Sequence, residues 1–222
     1  MLGANDAHIL TIDYRGYGYS TGSPTEEGLI LDGIATVNWA LTVAHVAPER
    51  IVIVGQSLGT AVAVAVAEHF ATKSHIDFAG IVLVAGFSDL PTVMMTYKAG
   101  GILPALSPLR PYPKIQSFFA RRIKDTWPTS TRLGNLVRNS RRIDLALIHS
   151  KNDPDIPWSH CDTLFYAAAN ATSIEGMTAS QIDGVKQHLE LGAGGWTNTW
   201  TAGTSLGEIK RIKQTIVKHG GA

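Results

Sequence analysis

The hydrophobic pattern contains four short aliphatic runs, each suited in length to one buried β-strand. They cover residues 7–13, 51–54, 79–85 and 143–149. Helical periodicity separates the first two runs, because apolar side chains recur there every three or four residues (Ile30, Ile34, Val37, Leu41 and Ala44). A run of small residues, 60–67, follows the second strand. Strands alternating with helices predict an α/β fold, with a mostly parallel sheet and helices on both faces.

The boundaries of several elements follow from local signals. Ser23-Pro24-Thr25-Glu26 is typical of a helix start, with Ser23 as the N-cap and Pro24 in the first turn. A helix is also expected over about 158–170. Residues 172–205 are polar and glycine-rich and favour no element, and 209–217 fits either a last strand or a helix.

A cap or lid insertion is expected over residues 87–142, within a single domain covering 1–222. Six of the ten prolines lie there, no strand pattern is visible, and short helices over the carboxyl edge of the sheet are the natural interpretation. An apolar stripe could form one helix face, as core or as membrane contact (Ile115, Phe118, Phe119, Ile123 and Trp127).

Positive charge is concentrated in the same insertion. Between Arg110 and Arg142 stand nine Lys and Arg residues and one acid, Asp125. Two interpretations remain open for the basic 110–142 segment: a solvated surface, or a lid whose charge meets anionic lipid or a substrate phosphate.

Composition excludes several other classes of protein. With 222 residues, 45% hydrophobic and 17% charged, the chain suits one globular domain, and its net charge of +1 gives no nucleic-acid signal. The lone Cys161 excludes an intramolecular disulfide, and no apolar run reaches the ~18 residues of a membrane span. No metal-ligand spacing or nucleotide motif is present, so no cofactor is expected.

The candidate chemistry centres on Gly55-Gln56-Ser57-Leu58-Gly59, between a predicted strand and a predicted helix. G-x-S-x-G in this setting is typical of a nucleophile elbow, although an ordinary strand-to-helix turn could also hold a serine. In an elbow the backbone at the serine is strained, and side chains two residues on either side would collide, hence the glycines. Ser57 Oγ would leave the sheet, and the Leu58 N–H would face a developing oxyanion.

A serine nucleophile needs a base, usually a histidine that a carboxylate orients. Asp153 follows a predicted strand and fits the acid, with Asp155 as its rival. The chain order Ser, Asp, His places the base after Asp153, where His219 is either a candidate base or a frayed terminal residue and His188 lies in a polar loop. His149, beside the acid, is expected to pack or to form hydrogen bonds instead.

These motifs resemble the α/β-hydrolase superfamily. The similarity rests on 13–20 with 22–26, on the elbow, and on His-x-x-x-Asp-x-x-Ile-Pro at 149–157, and it covers 7–86 and 143–170 well. The nearest branch is the membrane-associated serine hydrolases that include lysophospholipases and protein depalmitoylases. The resemblance implies an acyl-enzyme on Ser57, with Asp153 as triad acid, Leu58 as oxyanion donor and a small ester or acyl compound as substrate.

Two departures from that family pattern lower the expected activity. The family has about three strands before the one starting at Ala7, and the third ends in a His-Gly loop that supplies the second oxyanion N–H. Without it the sheet would have a gap unless 7–13 pairs directly with 50–54. The family histidine often follows Gly-Gly, but Ala222 follows Gly220-Gly221. The sequence therefore predicts a hydrolase domain truncated at both ends, with weak or no activity, or alternatively a non-catalytic binding module. Localisation stays open, with a membrane-associated intracellular parent implied by resemblance.

Overall fold

The computed structural model describes residues 7–96, 124–203 and 207–219. Within these ranges the α-helices are α1 Glu26–Thr42, α2 Leu58–Lys73, α3 Leu90–Thr96, α4 Thr129–Asn139, α5 Ser159–Asn170 and α6 Ala179–Val185. The strands are β1 Val52–Gln56, β2 Gly80–Val84, β3 Ile143–Ser150, β4 Gln187–Leu191, β5 Gly195–Gly203 and β6 Ile209–Val217.

The strands join one sheet in the order β1-β2-β3-β6-β5-β4. β1, β2, β3 and β6 pair in parallel, and β5 and β4 continue the sheet in antiparallel pairing. The mostly parallel sheet with flanking helices is therefore as predicted, and residues 209–217 form the strand rather than the helix. The two antiparallel strands come from the stretch whose sequence favoured no element.

The core lies on one face of this sheet. Alternate strand residues point towards α2, α4 and α5 and are fully buried, among them Leu83, Leu145, Leu147, Ile212 and Ile216. The predicted apolar face of α1 packs against α2, which confirms the prediction of an amphipathic helix there. The opposite face of β1 is open, since Val52 and Val54 are 52% and 67% exposed. At β1, therefore, the described residues do not provide the cover that was expected on both faces of the sheet.

The start of α1 differs in detail from its sequence signal. Thr25, and not Ser23, is the N-cap, because its extended backbone lets its hydroxyl accept the N–H of Gly28 at 3.1 Å. Pro24 consequently lies before the helix instead of in its first turn.

Residues 7–13 do not form the predicted strand. They have no ladder partner within the part of the chain that the structure describes, and their side chains are exposed, with Ile9 at 88%. β1 is the edge of the described sheet, so the direct pairing of 7–13 with this strand does not occur. Strand propensity alone does not create a strand, because its N–H and C=O groups need a neighbouring backbone.

The described ends of the 87–142 segment are helical. α4 packs against α2 and α5, and Trp127 is buried in the core. The remaining members of the apolar stripe lie outside the described residues. Arg132 is bound by Glu26 at 2.7 Å, with Glu68 at 3.9 Å. Of the helices in the described ranges, none combines the length and apolar composition that crossing a membrane requires.

Candidate active site

Ser57 stands at the apex of the turn between β1 and α2. Its backbone has φ 51° and ψ −122°, a region that costs a non-glycine residue free energy. The N–H of Ser57 donates to the carbonyl of Val84 in β2 at 3.0 Å, which holds the turn against the sheet. The residue is exposed. A strained backbone therefore presents this hydroxyl to solvent at the carboxyl end of β1.

The two glycines of the motif are not equivalent. A Cβ on Gly55 would lie 2.3 Å from the carbonyl oxygen of Gly59, so no side chain fits there. A Cβ on Gly59 would meet nothing within 4 Å apart from its own helix. The predicted steric requirement holds at Gly55 and is wrong at Gly59, because Gly59 faces open space on the first turn of α2.

Leu58 is the first residue of α2 and the candidate oxyanion donor. The first N–H groups of a helix have no intrahelical acceptor, and the helix dipole favours negative charge beside them. Thr60 reinforces the turn, since its N–H and its hydroxyl donate to the Ser57 carbonyl at 2.9 and 2.6 Å. This N-terminus is chemically suited to stabilise an anion next to Ser57.

Asp153 is fixed in the loop that follows β3. Its Oδ1 accepts the N–H groups of Asp155 and Ile156, each at 2.9 Å, and its side chain is 6% exposed. Asp155 is half-buried, and in this loop it contributes its backbone N–H. The loop therefore orients the carboxylate of Asp153, whereas the carboxylate of Asp155 accepts no such pair of N–H groups within the described residues.

His149, at the end of β3, contacts two residues of this loop, Asp153 and Ile156. Its Nε2 lies 2.9 Å from the carbonyl oxygen of Ile156 and 3.5 Å from Oδ2 of Asp153, so Nε2 must carry the proton. Burial lowers the pKa of His149, against the opposing effects of the Ile156 carbonyl and of Asp153. Its Nδ1 is buried without a hydrogen-bond partner among the described residues. The hydrogen-bonding role predicted for His149 is the one observed.

Three of the predicted residues, Ser57, Asp153 and His219, lie where strands end at the carboxyl edge of the sheet. Ser57 and Asp153 follow β1 and β3, with β2 between them, which places their backbones about 10 Å apart at the usual strand spacing. An imidazole can bridge such a gap. His219 follows the end of β6, next to β3, and is exposed.

His188 lies elsewhere. It sits in β4 rather than in a polar loop, directly opposite Asn198 and at the far side of the sheet. Five strand spacings separate β4 from β1, about 24 Å. His188 is therefore too distant to serve Ser57 as a base.

Sequence reasoning overlooked His160, which is buried behind the acid loop. The N–H of Ser88 donates to His160 Nδ1 at 3.3 Å, and Ser88 Oγ lies 3.0 Å from the same nitrogen. The Ser88 hydroxyl also donates to Asp89 at 3.0 Å, so the carboxylate holds the serine and not the imidazole. Burial lowers the pKa of His160. The available signal was position, since Ser88 follows a strand and His160 follows the acid loop.

The described ranges contain no group of three or more His, Cys, Asp or Glu side chains placed to hold a metal ion. The arrangement can support nucleophilic chemistry, with the Ser57 hydroxyl as nucleophile, the Asp153 carboxylate to orient a base and the N-terminus of α2 to stabilise an anion.

Comparison with known proteins identifies the family. The alpha/beta hydrolase family matches residues 1–182. This chain belongs to that family. It is 31% identical over 167 residues to Protein ABHD12B of Homo sapiens, covering 74% of the chain and 42% of that protein. It is 26% identical over 190 residues to the Lysophosphatidylserine lipase ABHD12 of Gallus gallus, covering 83% of the chain and 45% of the relative.

A solved alpha-beta hydrolase from Vibrio vulnificus is 20% identical, with a TM-score of 0.49 over 62% of this chain and 44% of that one. The chain spans about half the length of the curated relatives that it matches. Membership confirms the resemblance found in the sequence and supports a hydrolase.

Proposed function

We propose that this chain is a serine hydrolase of carboxylic esters or thioesters that acts through an acyl-enzyme on Ser57. The observation that carries the proposal is the exposed Ser57 at positive φ between β1 and α2, at the same sheet edge as the buried Asp153. A strained backbone at an exposed serine that precedes a helix N-terminus is the geometry that a nucleophile elbow requires.

In the proposed reaction a base takes the proton of Ser57 Oγ while this oxygen bonds to the substrate's acyl carbon. The oxyanion so formed accepts the N–H of Leu58. The intermediate then expels the alcohol or thiol, which leaves with the proton from the base. Water attacks the acyl-serine by the same steps and releases the acid. Asp153 orients the base, for which His219 is the candidate that shares this edge.

Lipid-like acyl substrates are the proposed class. The name of the Gallus gallus relative, a lysophosphatidylserine lipase, supports this choice. A phospholipid headgroup would also suit the positive charge of the 110–142 segment. Of the described cations in that segment, Arg132 is occupied by Glu26 and Arg141 lies 3.7 Å from Asp77. Binding to a membrane surface would therefore depend on other cations of this segment.

The rival function is a hydrolase-like module without turnover. It is favoured by the position of His219, which is exposed and, within the described residues, has no hydrogen bond or ion pair to orient it. A base that is not held in place loses most of its catalytic value.

Labelling of the whole chain with a fluorophosphonate probe distinguishes the two functions. Strong labelling that Ser57→Ala abolishes supports the hydrolase, and release of acid from a lysophospholipid, a palmitoyl thioester and a short-chain aryl ester then ranks the substrates. A folded chain by circular dichroism that does not label would support the non-catalytic module.

Membrane binding is tested separately by co-sedimentation with phosphatidylcholine vesicles, with and without phosphatidylserine. The proposal expects binding only to the anionic vesicles and its loss at high salt. Equal sedimentation with both vesicle types would contradict it.

A further inference from the structure

A row of polar side chains crosses the apolar face of the sheet. His188, Asn198 and Gln214 stand directly opposite one another on β4, β5 and β6. The same row continues through Leu147 and Leu83, which are apolar. Asn198 and Gln214 are buried. Buried amides in a hydrophobic layer are costly unless each is hydrogen-bonded, so their partners define what the row does.

The row forms one continuous chain of hydrogen bonds. Gln214 donates from Nε2 to Oδ1 of Asp162 at 2.6 Å, and Asn198 donates from Nδ2 to Oε1 of Gln214 at 2.8 Å. The remaining Oδ1 of Asn198 lies 2.7 Å from Nδ1 of His188, and Nε2 of His188 lies 3.0 Å from Glu190 Oε1. The chain therefore runs from α5 to the outermost described strand.

An ionised carboxylate at the half-buried Asp162 end fixes the direction of every bond. Asp162 can then only accept, so Gln214 must turn its NH₂ towards it and its oxygen towards Asn198. Asn198 in turn must present its own oxygen to His188. Both ring nitrogens of His188 consequently face oxygens, and the imidazole satisfies both only as the doubly protonated cation.

We propose that Asp162 and His188 form a proton-linked pair whose charges are coupled by the orientation of the two amides. When Asp162 takes up a proton, its O–H donates to Gln214 Oε1, and both amides turn over. Asn198 then donates to Nδ1 of His188, which must give up its proton to solvent. One proton is gained at Asp162 and one is lost at His188, so the pair keeps its proton count.

Other charged groups at the two ends act alongside this chain. His188 faces Glu190 on its own strand, and the positive charge of Lys186, which follows α6, repels the His188 cation. Hydrogen bonding to Asn198, and then to Glu190, raises the pKa of His188. Around Asp162 lie Lys186, Asp183, His149 and Gln214, to which the Cys161 thiol is also hydrogen-bonded, and burial raises the pKa of Asp162. Lys186 is itself held by Asp183 at 2.6 Å and by Tyr166 at 3.1 Å.

The pair links an exposed imidazole to the neighbourhood of the acid loop. Asp162 lies in the first turn of α5, which follows that loop, and its charge acts on His149 beneath Asp153. The coupling itself does not depend on the proposed hydrolase activity, because it rests on the hydrogen-bond chain alone.

The test is the titration of His188 by NMR in the full chain labelled at histidine, with His188→Gln to assign the signal. Asp162→Asn removes the fixed acceptor, and Gln214→Leu interrupts the chain while leaving the Asp162 carboxylate in place. We expect each variant to weaken the proton affinity of His188 on the order of tenfold. The double variant should show no larger loss than either single one. Glu190→Gln lies outside the amide chain and should weaken the proton affinity of His188 independently, so that its effect adds to that of Asp162→Asn or Gln214→Leu.

The decisive comparison is Gln214→Leu. A shift in Asp162→Asn with none in Gln214→Leu would mean that the charge acts through space, and would overturn the proposal, as would no shift in either. Gln214→Met, with an unbranched side chain of similar length, provides the same interruption should Gln214→Leu not fold.

Discussion

His149 lies with Nε2 3.5 Å from Oδ2 of Asp153, and both side chains are almost completely buried. The same nitrogen donates to the Ile156 carbonyl at 2.9 Å, while the Ile156 N–H donates to Asp153. His149 thus holds the carbonyl of Ile156 and Asp153 holds its N–H, so the two side chains together secure this residue of the acid loop. The acid loop is held by these buried bonds and not by exposed ion pairs, which contribute little.

The first prediction concerns this bond. His149→Leu should lower the free energy of unfolding by about 1–3 kcal/mol, because the buried Ile156 carbonyl loses its donor. His149→Gln retains an N–H donor and should recover part of that loss. Urea denaturation measures both. Wild-type stability in His149→Leu would show that the bond has no structural role.

The second prediction is a pH dependence of stability. Burial lowers the pKa of His149 and of His160 in the folded chain. Below about pH 6.5 the unfolded chain therefore binds more protons than the folded one, and each histidine lowers stability by at most about 1.4 kcal/mol per pH unit. The loss continues until the pH passes the folded pKa. Asp162 acts in the opposite direction at lower pH, because burial raises its pKa.

Urea denaturation at several values between about pH 7 and about pH 5 measures this slope. His149→Gln should flatten it, since glutamine does not titrate. A slope that is the same in this variant would assign the pH dependence to other groups.

The third prediction uses the two elbow glycines as a matched pair. Gly55→Ala should destabilise the chain by about 1–3 kcal/mol, because its Cβ would meet the Gly59 carbonyl at 2.3 Å. Gly59→Ala should be neutral or stabilising by about 0.5–1 kcal/mol, since it replaces a helical glycine facing open space. Thermal unfolding compares them, and equal losses would contradict the geometry.

The fourth prediction separates the two candidate acids and rests on the proposed activity. Asp153→Asn should slow fluorophosphonate labelling of Ser57 on the order of 10³–10⁴-fold, as loss of a triad carboxylate does elsewhere. Asp155→Asn, the matched control in the same loop, should label like the parent chain. Rates measured at probe excess give the answer, and slower labelling in Asp155→Asn alone would reverse the assignment.

The fifth prediction concerns Cys161, the single cysteine of the chain. Burial raises the pKa of its thiol to about 12, so almost no thiolate is present near neutral pH. We expect iodoacetamide to leave the native chain unmodified and to alkylate it once urea unfolds it, as mass spectrometry would show. Rapid alkylation of the native chain would indicate that α5 opens locally.

The sequence predicted the elements whose signal is local. The aliphatic run before Ser57, the small residues after it and the apolar face of α1 are contiguous patterns, and each formed the expected element. The place of Asp153 after a strand could also be predicted, because it depends only on where that strand ends. The antiparallel strands β4 and β5 could not be predicted, since their residues are polar and pair mainly with each other and with β6.

The sequence by itself therefore determined the family, the strand–turn–helix around Ser57 and the candidate acid. Only the tertiary structure decided which segments pair and which side chains meet. Residues 7–13 have the composition of a strand but no neighbouring strand among the described residues, and His188 has the right chain order for a base but lies across the sheet from Ser57. The clamp of His149 on the acid loop and the position of His160 likewise depend on neighbours brought together by folding. Hydrophobic periodicity depends on residues that are neighbours in the sequence, whereas strand pairing and side-chain contacts depend on how residues distant in the sequence pack together.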